Sequence, residues 1–277
     1  MPVLRVALDL PLHRLFDYLA NTASTADIGL RVRVPFGRGE KIGLIVDVDE
    51  VSEWPLAQLK PASEILRDVP PLAHDFFELC SFASSYYQAP LGEVLLQALP
   101  VGLKKLLPPT RRAARTEKAK PAKSPPELTA EQIVAVNSID PATGFSAKLL
   151  HGVTGSGKTE VYLRLIERCL AAGQQVLLLV PEINLTPQLE ERVKGRFPDC
   201  RVVSLHSELT EAARERNWRA ALSGEARIVL GTRLAVFTPM PALGLIVIDE
   251  EHDASFKQQD GMRYSARDVA VFRARQL

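Results

Sequence analysis

The sequence predicts an α/β protein in two parts: a small, strand-rich mixed α/β module, followed by a lobe built on a mainly parallel sheet. Three observations lead there. Before about residue 100, short apolar runs alternate with turn residues; after residue 145, apolar runs alternate with amphipathic stretches long enough for helices; between them lies a segment with almost nothing to bury. With 277 residues, 46% of them hydrophobic and 24% charged, the chain is large enough for two cores and ordinary in composition.

In the first part LRVAL (4–8), RVRVPF (31–36) and KIGLIVDVD (41–49) read as strands, with FGRGEK the hairpin turn between the last two. Residues 72–83 (LAHDFFELCSFA) fit a helix, and GEVLLQAL (92–99) fits another begun after the break at Pro90. Residues 106–126 read as a linker rich in Pro and Ala. Between Lys104 and Lys123 stand eight basic residues against one acid, Glu117, a charge suited to non-specific contact with nucleic-acid phosphates. The net charge of +1 advertises no such partner for the chain as a whole.

In the second part FSAKLL (145–150), QVLLLV (175–180), RVVSLH (201–206), RIVLG (227–231) and LGLIVIDEE (243–251) read as strands. Helices are expected from near Lys158, in the second half of PEINLTPQLEERVKGRF, and over 211–223. This alternation implies a parallel sheet covered on both faces, with ligands beyond the carboxyl ends of its strands. The cysteines, Cys80, Cys169 and Cys200, lie far apart and form neither a zinc spacing nor a disulfide framework. No stretch approaches the ~18 apolar residues of a membrane span. The opening MPVLRVALDLP carries no cleavage-like site, so a cytoplasmic protein without membrane contact is expected.

HGVTGSGKTE holds a full phosphate-loop pattern, Gly152-Val-Thr154-Gly155-Ser156-Gly157-Lys158-Thr159. Glycines let consecutive N–H groups curl around phosphate oxygens, the helix start adds a favourable dipole, Lys158 reaches the β/γ-phosphates of ATP, and the Thr159 hydroxyl ligates Mg²⁺. Asp249 closes the apolar run LIVI, the position for an acid that holds Mg²⁺ through water, and Glu250 is placed to accept a proton from the attacking water. His252 stands beside them, able to bridge the γ-phosphate site to another element. Gln132, in LTAEQIVAV, opens a helix upstream; its amide can read adenine's edge or lie on a helix surface. PEINLTPQ and GTRLAVF each follow a buried strand, so Thr186, Thr232 and Arg233 can grip a nucleic-acid phosphate, or act as helix caps and surface charge.

GVTGSGKTEVY, VPEINLTPQ, LHSELT, GTRLAVFTP and VIDEEHDASFKQQDGMRYSARDVAVFRA together resemble the PriA family of primosomal replication-restart helicases, DExH-type 3′→5′ DNA helicases of superfamily 2. The resemblance runs through residues 128–277. It extends into the first part, where LPLHRLFDYL and RVRVPFGRGEKIGLIVDV are similar to the family's module for the 3′ end of an arrested leading strand. It implies domains at 1–105 (DNA 3′-end binding) and 127–277 (recombinase-like helicase lobe 1), with ATP and Mg²⁺ as cofactors. It also implies forked, 3′-OH-ended and single-stranded DNA as ligands, and primosome and single-stranded-DNA-binding proteins as partners. Phe16, Asp17, Tyr18 and Lys60 are thereby assigned to the 3′-end pocket: the aromatics to wall in or stack on the terminal base, Asp17 to accept from the 3′-hydroxyl. Ala254 to Tyr264 is assigned to an aromatic-rich loop that senses single-stranded DNA. There Phe256 would stack as an exposed ring beside Tyr264, Lys257 and Arg263 would lie near the backbone, and Gln258 and Gln259 would relay the contact. On the residues alone, Phe16 and Tyr18 are two aromatics on one strand face, most simply core.

The sequence departs from the family in two places. Only the basic linker stands where the family carries a winged helix, and the chain ends before the second lobe and the cysteine-rich zinc region, so zinc is expected only outside it. These 277 residues are therefore expected to bind DNA and ATP without unwinding. An alternative is a non-catalytic DNA 3′-end or fork-binding module with a vestigial nucleotide site. In a polypeptide carrying the complete motor, Glu250→Gln is expected to lower ATP turnover by about 10²–10⁴-fold with nucleotide affinity unchanged, as read by phosphate release beside a fluorescent-nucleotide titration.

Overall fold

The structure is a computed structural model and describes residues 1–105, 125–139, 144–153 and 155–277. Most of the expected linker, and Thr154 of the phosphate loop, lie outside the described residues. The chain divides into two compact units. One takes in the described part of residues 1–111 with Thr210–Arg219 and Gln258–Tyr264; the other holds the remainder.

The first unit is organised by five antiparallel strands, β1 (Val3–Leu8), β2 (Phe16–Leu19), β3 (Arg31–Phe36), β4 (Gly39–Asp49) and β5 (Glu64–Leu66), in the order β2-β1-β4-β3-β5. The β3–β4 hairpin turns through Gly37 and Arg38, with Gly37 at φ +61°, the left-handed start that a two-residue loop favours. Gly43 of β4 passes so close to β1 that a Cβ would lie 2.4 Å from a Val6 methyl. The chain from Lys60 onward joins the two edges. The Leu19 N–H donates to the Lys60 carbonyl (3.0 Å), Ala62 N–H to Leu19 (2.8 Å) and Ser63 N–H to Arg33 (2.9 Å), curling the sheet toward a small barrel. Inside it pack Leu4, Val6, Leu8, Tyr18, Leu30, Val32, Val34 and Ile45. Helix α1 (His74–Tyr87) runs four residues beyond the expected helix and stops where Gln88 turns left-handed at φ +53°. Helix α2 (Leu91–Gln97) starts behind Pro90, as expected, and a short α3 (Val101–Lys104) follows.

The second unit is a four-stranded parallel sheet, β6 (Gln175–Leu179), β7 (Val202–Leu205), β8 (Ile228–Gly231) and β9 (Leu243–Ile248), in the order β7-β8-β6-β9. Its helices are α4 (Ala130–Asn137), α5 (Lys158–Ala171), α6 (Pro187–Arg196) and α8 (Ala266–Gln276), with α7 (Glu211–Leu222) divided between the units. Every β6 residue is buried, which explains the continuous apolar run. At its start Gln175, 1% exposed, spends its whole amide internally: Nε2 donates to the Ala221 and Ala226 carbonyls (3.0 and 2.7 Å), and Oε1 accepts from Ala242 N–H (3.0 Å).

One expected strand is absent. FSAKLL forms no ladder, and residues 144–150 are all exposed, Leu149 at 75%. Alternation of Phe145, Ala147 and Leu149 measures a capacity for burial on one face, whereas a strand exists only through its ladder. Among the described strands β9 is paired by β6 alone, leaving its other edge open.

Helices α5 and α6 are braced by a buried ion cluster. The Glu160 carboxylate meets Arg164 and Arg196, each at 3.1 Å, with Glu160 and Arg196 side chains 8% and 9% exposed. Removing one member of a buried pair strands the other charge. Glu167, 3.6 Å from Arg196 and 3.5 Å from Arg164, still faces both guanidiniums, so Glu160→Ala is expected to cost about 1–3 kcal/mol in urea unfolding, and Glu160→Ala with Arg196→Met distinctly less.

Candidate nucleotide site and nucleic-acid interface

The phosphate loop feeds α5 through two glycines at positive φ, Gly155 (+82°) and Gly157 (+83°). At its first and last glycines the loop is tightly filled, whereas Gly155 is required by its positive φ alone. A Cβ on Gly152 would lie 2.7 Å from Ser156 Oγ, and one on Gly157 would lie 2.3 Å from Gln132 Nε2. Lys158 closes it by donating from Nζ to the Gly152 carbonyl (2.6 Å) and, more weakly, to Val153 (3.4 Å). A glycine-built loop with a lysine folded into its mouth and a helix start beneath it fits the phosphates of a nucleotide.

Gln132 reaches this loop from α4. Its Oε1 accepts from Thr129 N–H (2.9 Å) while the Thr129 hydroxyl accepts from Gln132 N–H (3.3 Å), a reciprocal cap; its Nε2 donates to Ser156 O (3.3 Å). Both ends of the amide are engaged, so reading an adenine edge requires exchanging one of these bonds.

Asp249 follows β9, its N–H bonded to the Leu179 carbonyl of β6 (2.9 Å). Burial, then the neighbouring Glu250 charge, pushes its carboxyl above the usual range. Glu250 holds the left-handed region at φ +49°, sparsely populated for a residue with a side chain and characteristic of strained functional turns. His252 Nε2 lies 3.8 Å from Glu250 Oε2 and is 76% exposed, open to another element. The residue that sequence reasoning missed is Tyr162. It is 5% exposed; its hydroxyl donates to Asp249 Oδ2 (3.3 Å), and the Thr159 side chain lies beside the same phenol. Burial pushes that phenol up to about 12, so it remains a donor at neutral pH. Its only sequence signal is spacing: three residues past Thr159 on α5, it shares that residue's helix face.

Of the two readings open for Thr186, Thr232 and Arg233, the structure shows the local structural partners. Thr186 caps α6, accepting from Leu189 N–H (3.3 Å), while Thr232 is buried at the head of the 3-10 turn Arg233–Phe237. Arg233 donates to the Ser255 carbonyl (2.8 Å), tying that turn to the 3-10 turn Ala254–Phe256. Phe256 corrects the expectation of an exposed ring, and Tyr264, assigned to DNA with it, is buried as well. They are 2% and 3% exposed, because a large ring flanked by polar residues gains more by packing inward than by facing water. Lys257, Gln259 and Arg263 are exposed, and Gln258 N–H donates to the Tyr264 carbonyl (2.8 Å), so the polar half of the loop faces outward.

In the first unit β2 carries Phe16, Asp17 and Tyr18, with the backbone of Lys60 bonded at Leu19 and the Lys60 residue exposed. Tyr18, 5% exposed, donates its hydroxyl to the Pro35 carbonyl (3.1 Å), and Phe16 packs edge-on against Phe36, centroids 5.6 Å apart, beneath the Arg14 guanidinium. The expected stacking aromatics are therefore core and half-core, since residues two apart on a strand share its buried face. Asp17 faces the other way and accepts from Ser52 Oγ (2.5 Å).

Fold and site together define a phosphate-loop nucleotide-binding lobe joined to a small antiparallel domain. Comparison with known proteins agrees: the family model described as "DEAD/DEAH box helicase" matches residues 129–277, and that described as "3'DNA-binding domain (3'BD)" matches residues 5–100. The chain belongs to the DEAD/DEAH box helicase family. It is 35% identical to "Replication restart protein PriA" of Haemophilus influenzae, over all of this chain and 48% of that protein. The alignment spans 350 positions, so the relative carries residues with no counterpart here. Proteins of the same name are 36% identical in Rickettsia felis, over 95% of this chain and 40% of theirs, and 53% identical in Synechocystis, over 55% of this chain and 18% of theirs. The chain thus spans about half the length, or less, of these curated relatives.

The raised Asp249 carboxyl makes a signed prediction. Below the ordinary carboxylate range both folded and unfolded chains are protonated there and nothing is lost. As pH rises the unfolded chain ionises first, and the folded state loses stability until its own higher pKa is passed. Asp249→Asn removes that loss. Its urea midpoint is expected to exceed that of the unsubstituted chain at pH 7, with the margin shrinking as the pH falls toward 4.

Proposed function

We propose that this chain supplies the DNA 3′-end-binding and nucleotide-binding portions of an ATP-dependent 3′→5′ DNA helicase of replication restart. On this reading residues 1–105 bind the DNA end, 106–126 link, and 127–277 form the first motor lobe. The whole protein engages stalled or branched forks, unwinds them and initiates primosome assembly with primosome and single-stranded-DNA-binding proteins, in the cytoplasm. Zinc is expected only outside these residues; among the described residues no helix is long and apolar enough to cross a membrane.

One observation carries the proposal: the phosphate-loop helix and the acid-ended strand meet, with the phenol of Tyr162, one turn past Thr159, hydrogen-bonded to Asp249 and with Lys158 at the loop mouth. Bound ATP supplies a phosphoanhydride bond whose hydrolysis drives the motor, with Mg²⁺ screening its charge. The residues divide the remaining work. Lys158 exchanges the Gly152 and Val153 carbonyls for phosphate oxygens, and the backbone N–H groups of the loop and the first turn of α5 cradle those oxygens. Thr159 and Asp249 would hold the metal, and Gln132, bonded to the loop at Ser156, would meet the base. Glu250, turned out of the strand by its left-handed backbone, accepts the proton of the attacking water. Arg233, bonded to Ser255, gives the DNA-facing loop a route to the sheet edge that holds Asp249. Because Phe256 and Tyr264 are buried, DNA meets Lys257, Gln259 and Arg263 first, and the rings stack only if the loop opens.

The test uses forked DNA with a 3′-hydroxyl or a 3′-phosphate at the branch. A hydroxyl accepted by Asp17 is worth about 1.5–3 kcal/mol, so the 3′-OH fork is expected to bind roughly ten- to a hundredfold more tightly. Asp17→Ala is expected to erase the difference. Equal binding of both forks by the unsubstituted chain would overturn the end-recognition reading. DNA-stimulated ATP turnover by the complete protein separates a motor from a module that only binds.

A further inference from the structure

Tyr162 takes no chemical step in the reading above, yet it bonds one metal-side residue, Asp249, and lies beside the other, Thr159. Its ring is locked in the second unit's core with Ile166, Leu178 and Val180, so the hydroxyl has one position. From there it donates to Asp249 Oδ2 at 3.3 Å, with the Thr159 side chain beside it. Asp249 needs such a partner. It leaves β9 just before a residue in left-handed backbone; the Glu250 backbone N–H and the phenol both bond its carboxylate, and of these the phenol is the one fixed by packing in the core.

We propose that Tyr162 is a positioning residue that orients the Asp249 carboxylate and spaces it from the Thr159 hydroxyl, so that the two oxygens are preset for one divalent cation beside the nucleotide. The inference rests on the reading of Thr159 and Asp249 as the metal-side residues. Outer-shell donors of this kind fix the orientation of a metal-binding carboxylate and raise metal affinity without touching the metal. A phenol does this here because a rigid ring delivers a donor with little entropy left to lose, which a longer, more flexible side chain would not.

The test is a magnesium titration on the 277-residue chain with a fluorescent ATP analogue, for the unsubstituted protein, Tyr162→Phe, Asp249→Asn and the double variant. Tyr162→Phe keeps the ring and its packing, and urea midpoints verify that each variant folds. Losing one such bond is expected to raise the Mg²⁺ concentration for half-saturation about three- to tenfold, with nucleotide affinity in EDTA unchanged. Because Tyr162 acts through Asp249, the substitution is expected to add nothing in the Asp249→Asn background. A carbon-13 spectrum gives a metal-free readout, in which the Asp249 carboxyl shift moves in Tyr162→Phe. The proposal is overturned if Tyr162→Phe titrates like the unsubstituted chain, if its effect persists undiminished in Asp249→Asn, or if the carboxyl shift does not move. If Asp249→Asn itself leaves the magnesium dependence unaltered, the metal-side reading fails, and this inference with it.

Discussion

The parallel pairing of β6 with β8 on one side and β9 on the other decides where chemistry can occur in the second unit. Leu179 stands in register with both Gly231 and Ile248, so the residues that follow each strand emerge at one edge. The backbone laces that edge together: Asp249 N–H to Leu179 O and Val180 N–H to Gly231 O, both at 2.9 Å, and Thr232 N–H to Leu205 O at 3.2 Å. Polar motifs distant in sequence become neighbours because parallel strands all end on the same side. At the opposite edge Gln175 satisfies three backbone groups, which leaves its amide nothing to offer a ligand.

Strain and satisfaction are divided along the same axis. Toward the site the backbone takes conformations that are costly or glycine-dependent: Gly155 and Gly157 at positive φ, Glu250 in the left-handed region, Asp249 part-buried beside a like charge. Behind it the same helix α5 is anchored by the Glu160–Arg196 pair and by Arg168, whose guanidinium donates to the Val136 carbonyl at 2.9 Å. A poorly satisfied site persists only when the structure around it is over-determined.

The first unit uses one short strand for two purposes. On β2, Tyr18 and the edge-on Phe16 face the barrel interior, while Asp17 faces Ser52 on the other side, close in sequence to the Lys60 crossing that joins the sheet edges. A pocket here would be formed by polar groups standing on a strand that its own aromatics hold in place. The buried Phe256 and Tyr264 teach the same lesson in the loop after Asp249: an aromatic in a polar segment is as often the anchor of a loop as its contact surface.

Some features of this protein are local, and the sequence determined them alone. The phosphate loop was legible because its glycines, lysine and threonine act within one turn, and β6, β7, β8 and the β3–β4 hairpin because their burial is continuous or their turn residues diagnostic. Asp249 and Glu250 were legible as the polar end of an apolar strand. Other features depend on what lies opposite in space, and only the tertiary structure decided them. FSAKLL has the pattern of a strand and no ladder to join; Gln132 is engaged at both ends of its amide; Thr186 is a cap. Tyr162 is indistinguishable from any core tyrosine until α5 is laid against β9. Periodicity reports which residues are to be buried, whereas hydrogen-bond partners across long sequence separations are chosen by the packing of whole elements, and no local pattern records that choice.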